Sequence, residues 1–194
     1  MTVYRLYVFL LDIAPPIWRR IELSSETSLA QLHKVLQAAM GWQDYHLHEF
    51  EIGGQRYGVP DIDYDQPGEV VKDSTVKLSR ALQRKGSSLL YSYDFGDNWA
   101  HSVVLEDIVP IEPDTKYPRV VDGARACPPE DSGGPYGYAE LVEILAKPRH
   151  KEYRQMREWA GKNFDPEKFS VRDANLLLKQ ILPKSPKLRT DQVQ

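Results

Sequence analysis

Val3-Tyr-Arg-Leu-Tyr-Val-Phe-Leu-Leu-Asp12, then Ala14-Pro15-Pro16, then Ile17-Trp-Arg-Arg-Ile-Glu-Leu23 is the stretch that decides the fold class. Two runs rich in Tyr, Val, Phe, Ile and Leu flank a proline pair that cannot donate to a ladder, so the stretch reads as a β-hairpin with its prolines in the turn. Directly after it, Ser28 and Gln31 make a capping-box pattern ahead of Leu29, Leu32, Val35, Leu36, Ala39 and Met40, an apolar stripe at helical spacing. Gly41 is a natural stop for that helix. The opening therefore predicts a β-β-α unit.

The rest of the chain continues in short strands and late helices. Leu47–Ile52 reads as a strand that turns at Gly53-Gly54 into Gln55–Val59, and residues 60–75 read as an acidic loop. Val76–Arg84 reads as a short helix, and Ser88–Asp94 and Trp99–Ile108 as strands around the Gly96-Asp97-Asn98 turn. Pro110–Pro135 is rich in Pro, Gly and acids and reads as ordered loop with one strand near Pro118–Val121. Tyr138–Ala146, His150–Lys162 and Val171–Leu182 read as helices, the last capped by Ser170. Strands joined by short turns are antiparallel. The expectation is an α+β fold in a single domain, residues 1–182, with an antiparallel or mixed sheet, C-terminal helices packed on it, and a polar tail at 183–194.

Composition narrows the class. The 194 residues are 41% hydrophobic, 10% aromatic and 27% charged, which excludes general disorder and a collagen-like chain. No apolar run approaches the length of a membrane-spanning helix, and Met1–Leu11 lacks the basic lead and small-residue cleavage site of a signal peptide. The one cysteine, Cys127, fits a reducing compartment, so a cytoplasmic location and no membrane partner are expected. A net charge of −3 argues against a nucleic-acid binder driven by global charge. No Gly-rich phosphate loop follows a strand.

Three strings carry chemistry. Tyr91-Ser-Tyr-Asp-Phe-Gly-Asp-Asn-Trp-Ala-His101 sets Asp94, Asp97 and His101 around one tight turn, with Trp99, His101, Val103 and Leu105 on one strand face. There a carboxylate beside the imidazole would serve as a base or metal site, and the structural alternative is an Asx-type turn with a core-edge histidine. Tyr45-His46-Leu47-His48 alternates two histidines onto one strand face, and His-x-His is a recurring metal-ligand spacing. Cys127-Pro-Pro-Glu-Asp-Ser-Gly-Gly-Pro-Tyr-Gly-Tyr138 stiffens the backbone before Glu130 and Asp131, while its glycines permit close approach of another segment.

The candidate binding cluster is accordingly His46, His48, Asp94, Asp97, His101, Glu130 and Asp131, with His46, His48 and His101 as ligands of a divalent metal. Arg149, Lys151, Arg154 and Arg157 are candidates for meeting a nucleic acid or an acidic partner. Asp61-x-Asp63-x-Asp65 imitates the start of a calcium loop but has Gln66 and Lys72 where glycine and glutamate are needed. Cys127 lies in no Cys-His nucleophile signature.

Ile17-Trp-Arg-Arg after the proline pair, Met40-Gly-Trp-Gln-Asp-Tyr-His-Leu-His-Glu-Phe50, Tyr93-Asp-Phe-Gly-Asp-Asn-Trp-Ala-His101, Cys127-Pro-Pro-Glu-Asp-Ser-Gly-Gly and Phe164-Asp-Pro-Glu-Lys-Phe169 form a further set of landmarks. Together the chain resembles the plasmid pRiA4b (Ri-plasmid) ORF-3-like family of bacteria and archaea, from about Tyr4 to Leu182. The resemblance implies a single α+β domain and carries no established activity. Some relatives bear a resolvase-like label as insertion-element passengers, and some are joined to DNA-binding domains. The residues do not support a resolvase, since no serine stands in a recombinase context. Three functional readings remain: a binding or adaptor module with a protein partner in mobile-element biology or regulation, a metal-dependent hydrolase using a His/Asp/Glu cluster, and a nucleic-acid-binding protein.

Overall fold

In the computed structural model, which describes residues 2–61 and 65–181, the hairpin forms as the sequence predicts. Strand β1 (Val3–Leu10) pairs antiparallel with β2 (Trp18–Ser24), from Val3 opposite Ser24 to Phe9 opposite Trp18. Helix α1 (Leu29–Met40) follows. Ser28 Oγ accepts the Gln31 backbone N–H at 3.2 Å while Gln31 Oε1 accepts the Ser28 N–H at 3.0 Å, and Gly41 ends the helix at φ 99°. Ser28→Ala is expected to cost about 1 kcal/mol. At this chain length that is a fall of about 2–4 °C in Tm, read by differential scanning calorimetry.

The remaining strands are β3 (His48–Ile52), β4 (Gln55–Gly58), β5 (Val70–Lys72), β6 (Ser88–Tyr93), β7 (Trp99–Val109) and β8 (Arg119–Ala124). They join β1 and β2 in one eight-stranded sheet of order β5-β4-β3-β6-β7-β1-β2-β8. Every pairing is antiparallel except β4 with β5, so the sheet is mixed. The long β7 lies near the middle, and its burial alternates, with Trp99, His101, Val103 and Leu105 inward. That face meets Leu29, Leu32, Leu36 and Ala39 of α1 in a core that also holds Phe50, Tyr91 and Tyr93. Removing such large apolar surfaces from water is the main stabilising term.

The other helices are α2 (Leu78–Ala81), α3 (Gly134–Leu145), α4 (Tyr153–Ala160) and α5 (Val171–Ile181). Helix α5 packs on α1 and β8, and α3 packs on α4. Ser170 Oγ accepts the Asp173 N–H at 3.2 Å, the expected start of α5. The chain is thus a single compact α+β domain with helices covering the sheet. No helix among the described residues is long and apolar enough to cross a membrane. The polar tail 183–194 lies outside the described residues.

Several boundaries differ from the sequence reading, each for a local reason. The acidic loop 60–75 contains β5 and a 3₁₀ turn, Asp73–Thr75; three strand residues are too few to show a period. Helix α3 begins four residues before Tyr138, because Pro135 sits in its first turn, where the missing N–H costs nothing. Helix α4 is shorter than His150–Lys162, and its Trp159 is 47% exposed. In the calcium-like string Asp63 lies outside the described residues, while Asp65 turns its carboxylate onto the Asp61 N–H at 2.7 Å.

Candidate metal centre

The link from α1 to β3 is stitched to the 128–131 loop by hydrogen bonds. Trp42, packed on Tyr93 and Trp99, donates its indole N–H to the Pro128 carbonyl at 3.0 Å. The Gln43 N–H donates to Glu130 Oε1 at 2.9 Å, and Tyr93 donates its hydroxyl to the same oxygen at 3.1 Å. The Tyr45 N–H in turn donates to the Tyr93 oxygen at 3.1 Å. Burial, then the nearby Glu130 charge, pushes the Tyr93 phenol well above its ordinary range, so it stays a donor.

The turn after β6 supplies the second wall. Asp94 Oδ1 accepts the N–H groups of Gly96 at 3.0 Å and Asp97 at 3.4 Å, the Asx-type arrangement that closes the turn. Asp97 reaches across to accept the Gly133 N–H at 3.0 Å and so clips the Gly-rich loop to this turn. Asp94 and Asp131 both sit in the left-handed region, at φ 56°. Strained backbone of this kind persists where its surroundings over-determine it.

These two walls bring four side chains to one point. His46 Nε2 stands 3.2 Å from Asp131 Oδ1, 3.6 Å from Asp94 Oδ2 and 3.9 Å from Glu130 Oε2. Ligand atoms of His46, Asp94 and Asp131 all lie within 4.8 Å of one another. Both His46 Nε2 and Glu130 Oε2 are shut off from solvent and have no hydrogen-bond partner. Asp94 and Glu130 are almost wholly buried, whereas the Asp131 side chain is 72% exposed and forms the solvent side. Three carboxylates around one imidazole repel one another unless a proton or a cation joins them. Mixed nitrogen and carboxylate donors suit first-row divalent ions.

The other candidates lie elsewhere. His48 Nε2 bonds Asp73 at 3.0 Å, and its ring stacks on His33 at 3.5 Å. His33 also bridges Asp44 at 2.6 Å and the Tyr91 hydroxyl at 2.8 Å. His101 is fully buried in the sheet core, its Nδ1 between the carbonyls of Tyr91 and Trp99 at 3.1 and 2.9 Å. The three histidines therefore do not converge as one ligand set. Strand β3 begins at His48, so His46 belongs to the preceding link and the two do not share a pleated face. Of the basic set, Arg157 donates to the Phe164 carbonyl at 2.6 Å, and Lys151 lies 3.4 Å from Glu152. Arg149 and Arg154 are exposed. Cys127 has its thiol pushed far up by burial, which suits packing and not attack. Trp42 and Tyr93, which position Glu130, went unmarked in the sequence because aromatics at such positions read simply as core.

A family model described as plasmid pRiA4b ORF-3-like protein matches residues 2–173. The chain belongs to that family. It is 41% identical over 162 residues to the uncharacterized protein y4hQ of Sinorhizobium fredii (strain NBRC 101917 / NGR234), spanning 82% of this chain and 81% of that protein. It also resembles the crystal structure of a protein of unknown function, MM3350, from Methanosarcina mazei Go1. That match has a TM-score of 0.81 at 41% identity and covers 89% of this chain and 97% of that one. Within this ORF-3-like fold the four-residue cluster lies where the turn after β6, the loop before α3 and the link after α1 meet.

Proposed function

We propose that His46, Asp94, Glu130 and Asp131 hold a first-row divalent cation and that the chain is a metal-dependent hydrolase. One observation carries the reading: His46 Nε2 and Glu130 Oε2, both solvent-inaccessible and without a hydrogen-bond partner, lie 3.9 Å apart among two further carboxylates. Burying two such atoms unpaired costs roughly 1–3 kcal/mol each, and a cation between them removes that cost. A bound ion of this class acidifies a coordinated water at neutral pH. Tyr93 and Gln43 would fix Glu130 as ligand. The cytoplasm is the compartment we assign, on the single unpaired cysteine.

Calorimetric titration of the EDTA-treated chain with Zn²⁺, Mn²⁺ and Ca²⁺ tests this. One equivalent of Zn²⁺ or Mn²⁺ should bind, and at 100 times its Kd should stabilise the fold by about 2.7 kcal/mol. Asp94→Asn and Glu130→Gln should weaken binding at least tenfold, while His48→Ala should leave it unchanged. Equal binding in all four proteins, or none in any, rejects the metal centre.

A second reading, a protein-binding adaptor, is favoured by exposed apolar side chains next to the cluster in the chain. Tyr45 and Leu47 flank His46 and are each 69% exposed, Phe95 follows Asp94 at 53%, and Tyr136 is 92% exposed. Exposed aromatic groups of this kind are common anchors for partners.

A further inference from the structure

A groove of about 360 Å³ opens beside the cluster, between α3 and α4, with Asp131 common to both. Its size is that of a small-ligand or side-chain site. Ile144 and Met156 form apolar wall, and Trp159 stands at the edge, 47% exposed. Asp131, Glu140 and Glu152 supply three carboxylates, and no Lys, Arg or His lines it. Glu140 is exposed and makes no ion pair among the described residues. Glu152 meets only Lys151, which is 81% exposed and so screened by water. Glu152, Met156 and Trp159 recur at helical spacing, which puts Arg154 on the opposite side of α4.

We infer that this groove binds a basic, apolar polypeptide segment and presents it to the neighbouring cluster. Charge decides the class of ligand. Three carboxylates of the groove, adjoining Asp94 and Glu130, repel phosphate and attract ammonium or guanidinium groups. The indole of Trp159 adds a face on which a cation rests. A polyamine would satisfy the acids but leave Ile144 and Met156 uncovered, whereas a peptide alternating basic and apolar side chains meets both. As a substrate assignment the inference rests on the metal-centre reading; as a binding site it does not.

The test is fluorescence anisotropy with a fluorescein-labelled octapeptide alternating leucine and arginine, in EDTA and with Zn²⁺. Binding should appear in both conditions. It should weaken at least tenfold in the E140Q/E152Q double variant and several-fold in Trp159→Ala, surface changes whose folding is checked by Tm. Asp94→Asn should leave peptide binding in EDTA intact, which separates this site from the metal reading. The inference is overturned if the peptide does not bind or if the double variant binds it equally well. It is also overturned if a leucine–glutamate peptide, spermidine or a single-stranded oligonucleotide binds as tightly.

Discussion

Lowering the pH from 6.5 to about 4 is expected to remove up to about 3 kcal/mol of stability through His101 alone. Its Nδ1 faces two carbonyl oxygens, which only accept, so Nδ1 carries the proton and Nε2 is a bare lone pair in the core. Burial lowers the imidazole from 6.5 to about 4; the two carbonyls oppose the shift, and the nearby Arg19 charge adds to it. Unfolded chains therefore bind a proton near 6.5 while the folded chain does not until about 4. In that window the unfolded state holds more protons, so the stability present above 6.5 is lost as pH falls toward 4. His33, lowered to about 4 by burial and then by the adjoining His48, acts in the same direction. Urea unfolding from pH 7 to 4 measures the effect. His101→Asn keeps a side-chain N–H for the same carbonyls but does not titrate, so its stability should fall less steeply. Parallel profiles would mean that His101 is not held neutral.

Gly137→Ala should be the most damaging single methyl group in the molecule. A Cβ there would stand 2.1 Å from the Ser132 carbonyl oxygen, backbone against backbone, so no rotamer relieves it. The junction of loop and α3 must open, at a cost of about 3 kcal/mol, the upper end of ordinary overpacking. That junction carries Asp131 and is clipped by Asp97 to Gly133, so the same change should remove metal binding along with stability. Gly86→Ala is the control. Unlike Gly137 it has a positive φ, 86°, but open space around it, so it should cost only about 1 kcal/mol of backbone strain and leave binding intact. Chemical denaturation and metal titration of both variants read the two effects. Equal losses in the two would show that crowding at Ser132 is not what Gly137 avoids. Gly134 answers a related demand, since a Cβ on it would meet the Asp97 carbonyl at 2.6 Å.

Local chemistry by itself determined the elements. The Ser28–Gln31 box, the Gly41 stop, the proline-split hairpin and the inward alternation of β7 are written in neighbouring residues, because caps, turns and pleats act over a few positions. The α+β class follows from them. The odd Cys127–Tyr138 string, rigid in prolines and permissive in glycines, was already legible as a loop built for close approach.

Only the tertiary structure decided which of those residues meet. Sequence spacing offered His46 with His48, and Asp94 with His101, because each pair is close along the chain. Strand β3 begins one pleat late for the first pair, and the pairing of β6 with β7 turns His101 into the core. The contacts that matter instead join residues 36 or more positions apart, Asp97 to Gly133, Tyr93 to Glu130 and Gln43 to Glu130. Such contacts depend on how strands register and where a loop closes, which no local pattern of residues encodes.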